Sequence, residues 1–464
     1  MDPVLIGEIL SLVMFFAIIG VLMLGFPVAF SLAGTSLFFA GIGYLLGVFD
    51  PSNFNSLASR YVGVMLNEVL VAVPLFIFMG MMLERSGIAE KLLITMGRLF
   101  GSLRGGLGLS VIVVGALLAA STGIIGATVV TMGLLSLPAM LRAGYDPRLA
   151  SGVICASGTL GQIIPPSTVL IFMGDMLSGI NAQVQMQLGN FAPAPVSVGD
   201  LFAGAFVPGF LLIVLYMAWM IYKAAFCPQS CPALVVTSRE KADLGRDVLF
   251  SLLPPLLLIF AVLGSILGGI ATPTESASVG AVGAMVLAAF RRRLNLKSLR
   301  QTMLATANIT AMIFVILLGA SVFSLVFRMM GGDELVSDFL HNLPGGKIGA
   351  ILFVMLLMFM LGFILDTFEI IFIVLPITAP VLLLMGVDPI WLGVMVAVNL
   401  QTSFLTPPFG FSLFYLRGVA PNAVSTRMIY EGVLPFVVLQ IIAISILVVF
   451  PELVTWLPGL LYGP

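Results

Sequence analysis

Two stretches of this chain set hydroxyl and amide side chains just ahead of a proline pair. They read Gly158-Thr159-Leu160-Gly161-Gln162-Ile163-Ile164-Pro165-Pro166-Ser167 and Gln401-Thr402-Ser403-Phe404-Leu405-Thr406-Pro407-Pro408-Phe409-Gly410. Consecutive prolines remove two backbone donors and clash with the preceding turn, so the carbonyls before them lose their helical partners. Such carbonyls, with nearby hydroxyls, are hard oxygen ligands suited to a small cation such as Na+. In the second stretch Thr402, Ser403 and Thr406 supply hydroxyls for a site of this kind. Asp366, in Leu365-Asp366-Thr367, is the principal negative group of the apolar segments. At bilayer depth a carboxylate costs about 2.5–3.5 kcal/mol on insertion scales, so it needs a partner or a task. No Lys or Arg is expected beside it, which leaves a bound cation, a bound proton or a hydrogen-bonded neutral acid.

The elements that must carry these residues are membrane helices. Of 464 residues 60% are hydrophobic and 9% charged, and the mean hydropathy is +1.19. No soluble fold of this size hides so much apolar surface, so the bilayer acts as the solvent. A single His341 excludes a histidine-rich metal centre, and Cys155, Cys227 and Cys231 read as bystander thiols. The start Met1-Asp2-Pro3 lacks the basic residues of a cleaved signal, so the first apolar run is expected to remain as a span.

The proline pairs belong to a duplication. Gly144-Tyr145-Asp146-Pro147 precedes the first pair and Gly386-Val387-Asp388-Pro389 the second, each by eighteen positions, and the copies are displaced by 242 residues. Apolar runs fall near 4–25, 27–49, 62–83, 201–223, 248–270, 274–290, 306–330 and 430–450. Regions 106–140 and 346–385 are interrupted at Ser121-Thr122-Gly123 and Asp366-Thr367, and regions 149–180 and 389–418 hold the proline pairs. Arg85, Lys91, Arg98, Arg104, Arg142 and Arg148 flank 106–140 at both ends, so with basic residues kept inside it enters and turns back as a hairpin. Residues 181–200 carry no Lys or Arg and read as outside. Lys223, Arg239, Lys241 and Arg246, and later Arg291-Arg292-Arg293, Lys297 and Arg300, read as inside. The acidic stretch 331–345 opens the second hairpin from outside, and Arg417 and Arg427 return inside. Of the 20 basic residues, 17 are then cytoplasmic, with Arg60, Arg328 and Lys347 the exceptions. Both termini come out on the outer face.

The expected fold is an all-α polytopic membrane protein of about ten spans plus two re-entrant hairpins. It consists of inverted repeats, and two of the spans are broken helices. Paired breaks of opposite orientation favour a secondary transporter, with a channel or scaffold subunit as the competing class. Half-helices starting at the tips 120–123 and 365–367 would aim partial positive charge at the midplane, a ready anion site. Among other polar residues, Thr272-Pro273-Thr274-Glu275 reads as a capped helix start more than as a ligand. Asn67 and Glu68 sit on the third span, Asp175 near the outer end of the first broken span, and Arg328 is either a contact for an anion or a snorkelling residue. The amphipathic stretches 84–104 and 294–305 are expected to lie along the cytoplasmic interface.

The runs GTLGQIIPPS, ATPTESA, LDTFEIIFIVLPITAPV and QTSFLTPPFG, in this order, resemble the large membrane subunit of tripartite ATP-independent periplasmic (TRAP) transporters, within an ion-transporter superfamily. The likeness runs along essentially the whole chain, with the loops 181–200 and 224–246 standing out as insertions. It implies import of an organic anion, often a carboxylate, driven by Na+, through an elevator motion, in a bacterial inner (cytoplasmic) membrane. The termini would then be periplasmic. Implied partners are a small four-helix membrane subunit, a periplasmic substrate-binding protein, the organic anion and membrane lipid, with no nucleic acid and no cofactor beyond Na+ as coupling ion. Carried onto this sequence, a first Na+ site would use Ser121, Thr122, Gly158, Thr159, Ile164 and Pro165. A second would use Asp366, Thr367, Thr402, Leu405 and Thr406, and substrate would meet Thr122, Gln162, Thr367, Gln401 and Ser403. Scaffold spans and an arm would occupy 1–105 and 201–330, the transport parts 106–180 and 346–418, and a final span 430–464. A stand-alone carrier of related fold remains the alternative, as does H+ in place of Na+. No P-loop supports a nucleotide-driven mechanism.

Overall fold

The computed structural model describes residues 2–123, 125–233 and 244–463, and of Ser121 and Thr122 only the backbone. Arg239 and Lys241 of the inner loop lie outside the described residues. All regular structure among the described residues is helical. Eight helices are long and apolar enough to cross a bilayer, or ten if each of two bent pairs is one span. The chain is therefore a polytopic membrane protein.

Contacts divide the chain into two compact units. The first comprises Met1–Leu70, Phe172–Val196 and Ala307–Pro389. It opens with α1 (Pro3–Met23) and α2 (Val28–Leu45), which pack together, followed by α3 (Asn55–Met65). Asp2 caps α1 by accepting from the Val4 amide at 3.2 Å. Later come most of α13 (Leu296–Met329), then α14 (Gly332–His341), α15 (Gly346–Leu361), α16 (Thr367–Ile373) and α17 (Leu375–Leu384). A Cβ on Gly319 would lie 2.5 Å from the Ala29 carbonyl oxygen, so α13 meets α2 at a point only glycine allows.

The second unit comprises Val71–Ile171, Ser197–Thr306 and Ile390–Pro464. It holds most of α4 (Glu68–Arg85), α5 (Ile88–Gly101), α6 (Gly106–Thr122), α7 (Ile125–Arg142), α8 (Pro147–Thr159) and the start of α9 (Thr168–Gln187). It continues with α10 (Val198–Phe226), α11 (Leu244–Leu267) and α12 (Pro273–Phe290), and ends with α18 (Pro389–Leu405), α19 (Phe411–Val419), α20 (Thr426–Val449) and α21 (Glu452–Tyr462). Its centre is α8, every residue of which from Leu149 to Thr159 is buried, packed on α6, α7 and α20. A Cβ on Gly152 would stand 2.0 Å from the Gly432 carbonyl oxygen, and one on Gly432 2.0 Å from that of Arg148, so these two backbones touch.

Three boundaries differ from the sequence reading. The run 62–83 is not one straight helix: α3 and α4 meet at 50°, with Asn67 at the corner, its side chain accepting from the Val69 amide at 3.0 Å. The second leg of the later hairpin is bent by 57° between α16 and α17, where Pro376 opens α17. The stretch 294–305 and the run 306–330 form one helix of 34 residues, because neither Gly nor Pro interrupts the chain between Leu296 and Gly319. The acidic stretch 331–345 contains α14, and α9 extends through Gln187, so each expected outer loop is partly helical.

Candidate functional site

The Gly-x-Asp-Pro turn that occurs twice in the chain is a helix start in each copy. In the first copy Gly144 takes φ +83°, Asp146 accepts from the Arg148 amide at 2.9 Å, and Pro147 begins α8. Gly386 takes φ +78° ahead of Pro389, the first residue of α18. The turns position the breaks.

Helix α8 ends at Thr159 and tightens into a 3-10 turn, Leu160–Gln162, with both Ile163 and Ile164 amides on the Leu160 carbonyl. A cis Pro165-Pro166 bond follows. Ser167 then donates back across the break to the Gln162 carbonyl at 2.7 Å, and Thr168 donates to the Gly123 carbonyl at 3.1 Å. Gly123, at φ +60°, ends α6. The backbone of the first hairpin tip is thus tied to the start of α9. Gly158 allows the approach of α7, since a Cβ there would lie 2.3 Å from a Val129 methyl. Ser121 and Thr122 stand at the end of α6, with side chains outside the described residues.

The second break keeps its helix longer. Helix α18 runs through Gln401, Thr402 and Ser403 to Leu405, and Thr406 caps it with its amide on the Ser403 carbonyl at 3.1 Å, before a cis Pro407-Pro408 bond. The Thr402, Ser403 and Thr406 hydroxyls donate to the carbonyls of Val398, Leu400 and Thr402, at 2.8, 2.8 and 2.7 Å. Ser412 reaches back to the Phe404 carbonyl at 2.8 Å, the counterpart of Ser167. A hydroxyl that spends its proton on the backbone still presents oxygen lone pairs. That donor set offers oxygen without competing positive hydrogens, which is what a hard cation requires.

A hydrogen bond joins the two breaks within this unit: Gln401 Nε2 donates to Thr159 Oγ1 at 3.4 Å. These residues occupy the same position of the repeat, 242 apart. Nearby, Gln440 of α20 donates to the Tyr216 hydroxyl of α10 at 2.8 Å. Thr159, Tyr216, Gln401 and Gln440 are wholly buried, and the amide oxygens of Gln401 and Gln440 accept no hydrogen bond from a described residue. Tyr216 and Gln440 were not singled out by the sequence; an amide amid the apolar run 430–450 was the available signal.

Asp366 and Thr367 belong to the other unit. There Asp366 is the N-cap of α16: its Oδ1 accepts from the Thr367 amide at 2.7 Å. Glu369 closes the box by accepting from the Asp366 amide at 3.1 Å. Phe172 holds α16 in place, its ring edge-on to Phe368 and Phe372 at centroid distances of 5.4 and 5.2 Å. Glu369, a buried acid beside the half-buried Asp366, is a functional candidate that the sequence reading lacks, although its Asp-x-x-Glu spacing is visible. The same box, Thr272 with Glu275, was read as a helix start and is one, with bonds of 2.8 and 3.3 Å.

The family profile described as the DctM component of the tripartite ATP-independent periplasmic transporter matches residues 12–453. The chain is 30% identical to the C4-dicarboxylate TRAP transporter large permease protein DctM of Vibrio cholerae, over 97% of this chain and 98% of that one. It is 27% identical to the sialic acid TRAP transporter large permease protein SiaM of the same species, over 97% and 98%. Among solved structures, the YdaH transporter of Alcanivorax borkumensis shares the fold at TM-score 0.61 and 18% identity, over 89% of each chain.

Proposed function

Because this chain belongs to the family of TRAP transporter large permeases, a family of transport proteins and not of enzymes, we propose that it imports an organic anion in exchange for the free energy of a Na+ gradient. The observation that carries the reading is the pair of breaks. Two proline pairs in register, each preceded by side-chain hydroxyls or amides, are linked through Gln401 and Thr159. Na+ would bind at the first break among the carbonyls of Gly158 to Pro165 with Ser121 or Thr122. It would bind at the second among Asp366, Thr367 and the segment Thr402–Thr406. The backbone-bonded hydroxyls at 402, 403 and 406 support the second assignment, since their lone pairs suit a cation. The anion would lie near Thr122, Gln162, Thr367, Gln401 and Ser403. Its carboxylate character is supported by the relatives, named for C4-dicarboxylates and for sialic acid.

The working assembly on this reading contains a small membrane subunit and a periplasmic binding protein, in a bacterial inner membrane with both termini outside. Movement would be of the elevator type, with hairpins and broken helices travelling together. Reconstituted with those partners, the protein should take up its anion when Na+ is outside, and uptake should collapse when K+ replaces Na+. Undiminished uptake in K+ overturns the coupling. Asp366→Asn should impair Na+-driven uptake by more than tenfold, in line with a lost charge-assisted ligand; wild-type Na+ dependence in that variant removes Asp366 from the site.

A further inference from the structure

Away from the breaks, the first unit contains a cavity of about 370 Å3, within the range of small-ligand pockets. Its polar lining comes from Arg60, Asn67, Asp175, Gln183, Ser321, Ser324 and Arg328. These residues are far apart in sequence, on α3, the corner after it, α9 and α13. Nothing in the proposed coupling uses them.

The two arginines decide what the cavity suits. Arg60 and Arg328 lie close enough for their charges to repel. Arg328 is partly satisfied: Nε pairs with Asp333 at 3.1 Å, and a terminal nitrogen donates to the Pro376 carbonyl at 3.4 Å. Arg60 forms no ion pair and no hydrogen bond among the described residues, although half-buried. Asp175, the carboxylate in the lining, accepts from Asn67 Nδ2 at 2.8 Å, and so is engaged with an amide. A half-buried guanidinium without an acceptor, facing a second one, is unfavourable unless an anion bridges them. The planar donor fork of Arg matches a carboxylate in bidentate fashion, which a single ammonium would not.

We infer that this cavity is a second, separate binding station for a small organic carboxylate, with Arg60 its principal contact and Arg328, Ser324 and Gln183 completing the cradle. It deepens the proposed function, from which it takes the identity of the anion, by adding a site that the anion occupies apart from the breaks. Positive potential focused in a cleft raises the local concentration of anions and the rate at which they arrive. Arg60 is therefore a determinant of apparent affinity and not of ion coupling.

The test uses the full chain with its membrane partner, in a Cys227→Ser background that removes the exposed thiol. Ser324→Cys places a reporter in the cavity, with Ser321→Cys as a second position should the first fold poorly. Negatively and positively charged methanethiosulfonate reagents are compared. The anionic reagent should react roughly tenfold faster, relative to the cationic one, than it does with a small free thiol. Arg60→Gln should bring that preference close to the free-thiol value, and succinate, but not neutral succinamide, should slow the reaction. A free-thiol preference at both positions overturns the inference, as does one indifferent to Arg60→Gln or to succinate. Because the readout needs no transport, Na+-independent uptake would defeat the coupling scheme and leave this result standing.

Discussion

From Leu160 to Leu170 the first break is buried at every residue but Ile164, whereas at the second Pro408 and Phe409 are exposed. The first is followed by a helix of 20 residues, the second by one of 9. At the first, a hairpin tip is bound through Thr168 and Gly123; at the second, the hydroxyls of Thr402, Ser403 and Thr406 fold back on their own helix. Yet both place a cis proline pair at the same position of the repeat, and both close over it with a serine, Ser167 or Ser412. The same motif occurs twice, and packing buries one copy while leaving Pro408 and Phe409 of the other exposed. Equivalent chemistry in unequal settings is what a cycle between two accessible states would need.

That comparison can be broken most forcefully at the prolines. An interior proline costs a helix about 3 kcal/mol, so replacing Pro165 and Pro166 by Ala should favour a continuous helix by at least about a hundredfold and reduce uptake on that scale. The same change at Pro407 and Pro408 should reduce it as much. Near-normal uptake in either variant would mean that only one copy works as a break.

Packing effects come next. Gly158→Ala, with a Cβ at 2.3 Å from Val129, should destabilise by about 2 kcal/mol in thermal or denaturant unfolding. Gly161→Ala, whose nearest neighbour is at an ordinary 3.6 Å, should stay within about 0.5 kcal/mol. Equal losses would show that the tight seal around the first break is not local to Gly158.

The serines sharpen the likeness between the copies. Ser167→Ala and Ser412→Ala each remove a hydrogen bond to a carbonyl inside the protein and should each cost about 1–2 kcal/mol. A large effect at Ser167 and none at Ser412 would mean that water already serves the open break. A small change in stability, under about 1 kcal/mol, is expected for Gln401→Leu, since its bond to Thr159 is long and its amide oxygen accepts from no described residue. Lost uptake in a variant that stays folded would assign the link between the copies to function.

How much of this could be read from the chain depends on the range of the interaction. Proline pairs, the Asp146 turn and the Thr272–Glu275 box are local devices whose geometry follows from neighbours in sequence, and they were legible. Polytopic helical character followed from composition alone. The corner at Asn67 and the bend at Pro376 were written as plainly, but an apolar run of spanning length outweighed them. Tyr216 and Gln440 were not legible, because two polar residues 224 positions apart become a pair only through the packing of α10 on α20. Arg60 and Arg328 stood out as basic residues on the wrong side of the charge pattern; that they share one cavity required the fold.

The central claim is that both breaks bind the coupling ion, and the dependence of uptake on Na+ concentration tests it most directly. Uptake by the wild-type assembly should rise more steeply than first order in Na+. Thr402→Val with Thr406→Val, which removes two hydroxyl oxygens from one break, should shift half-maximal Na+ upward by about tenfold and flatten the curve toward first order. A first-order curve in the wild-type protein, or one that the double variant leaves unchanged, contradicts the account.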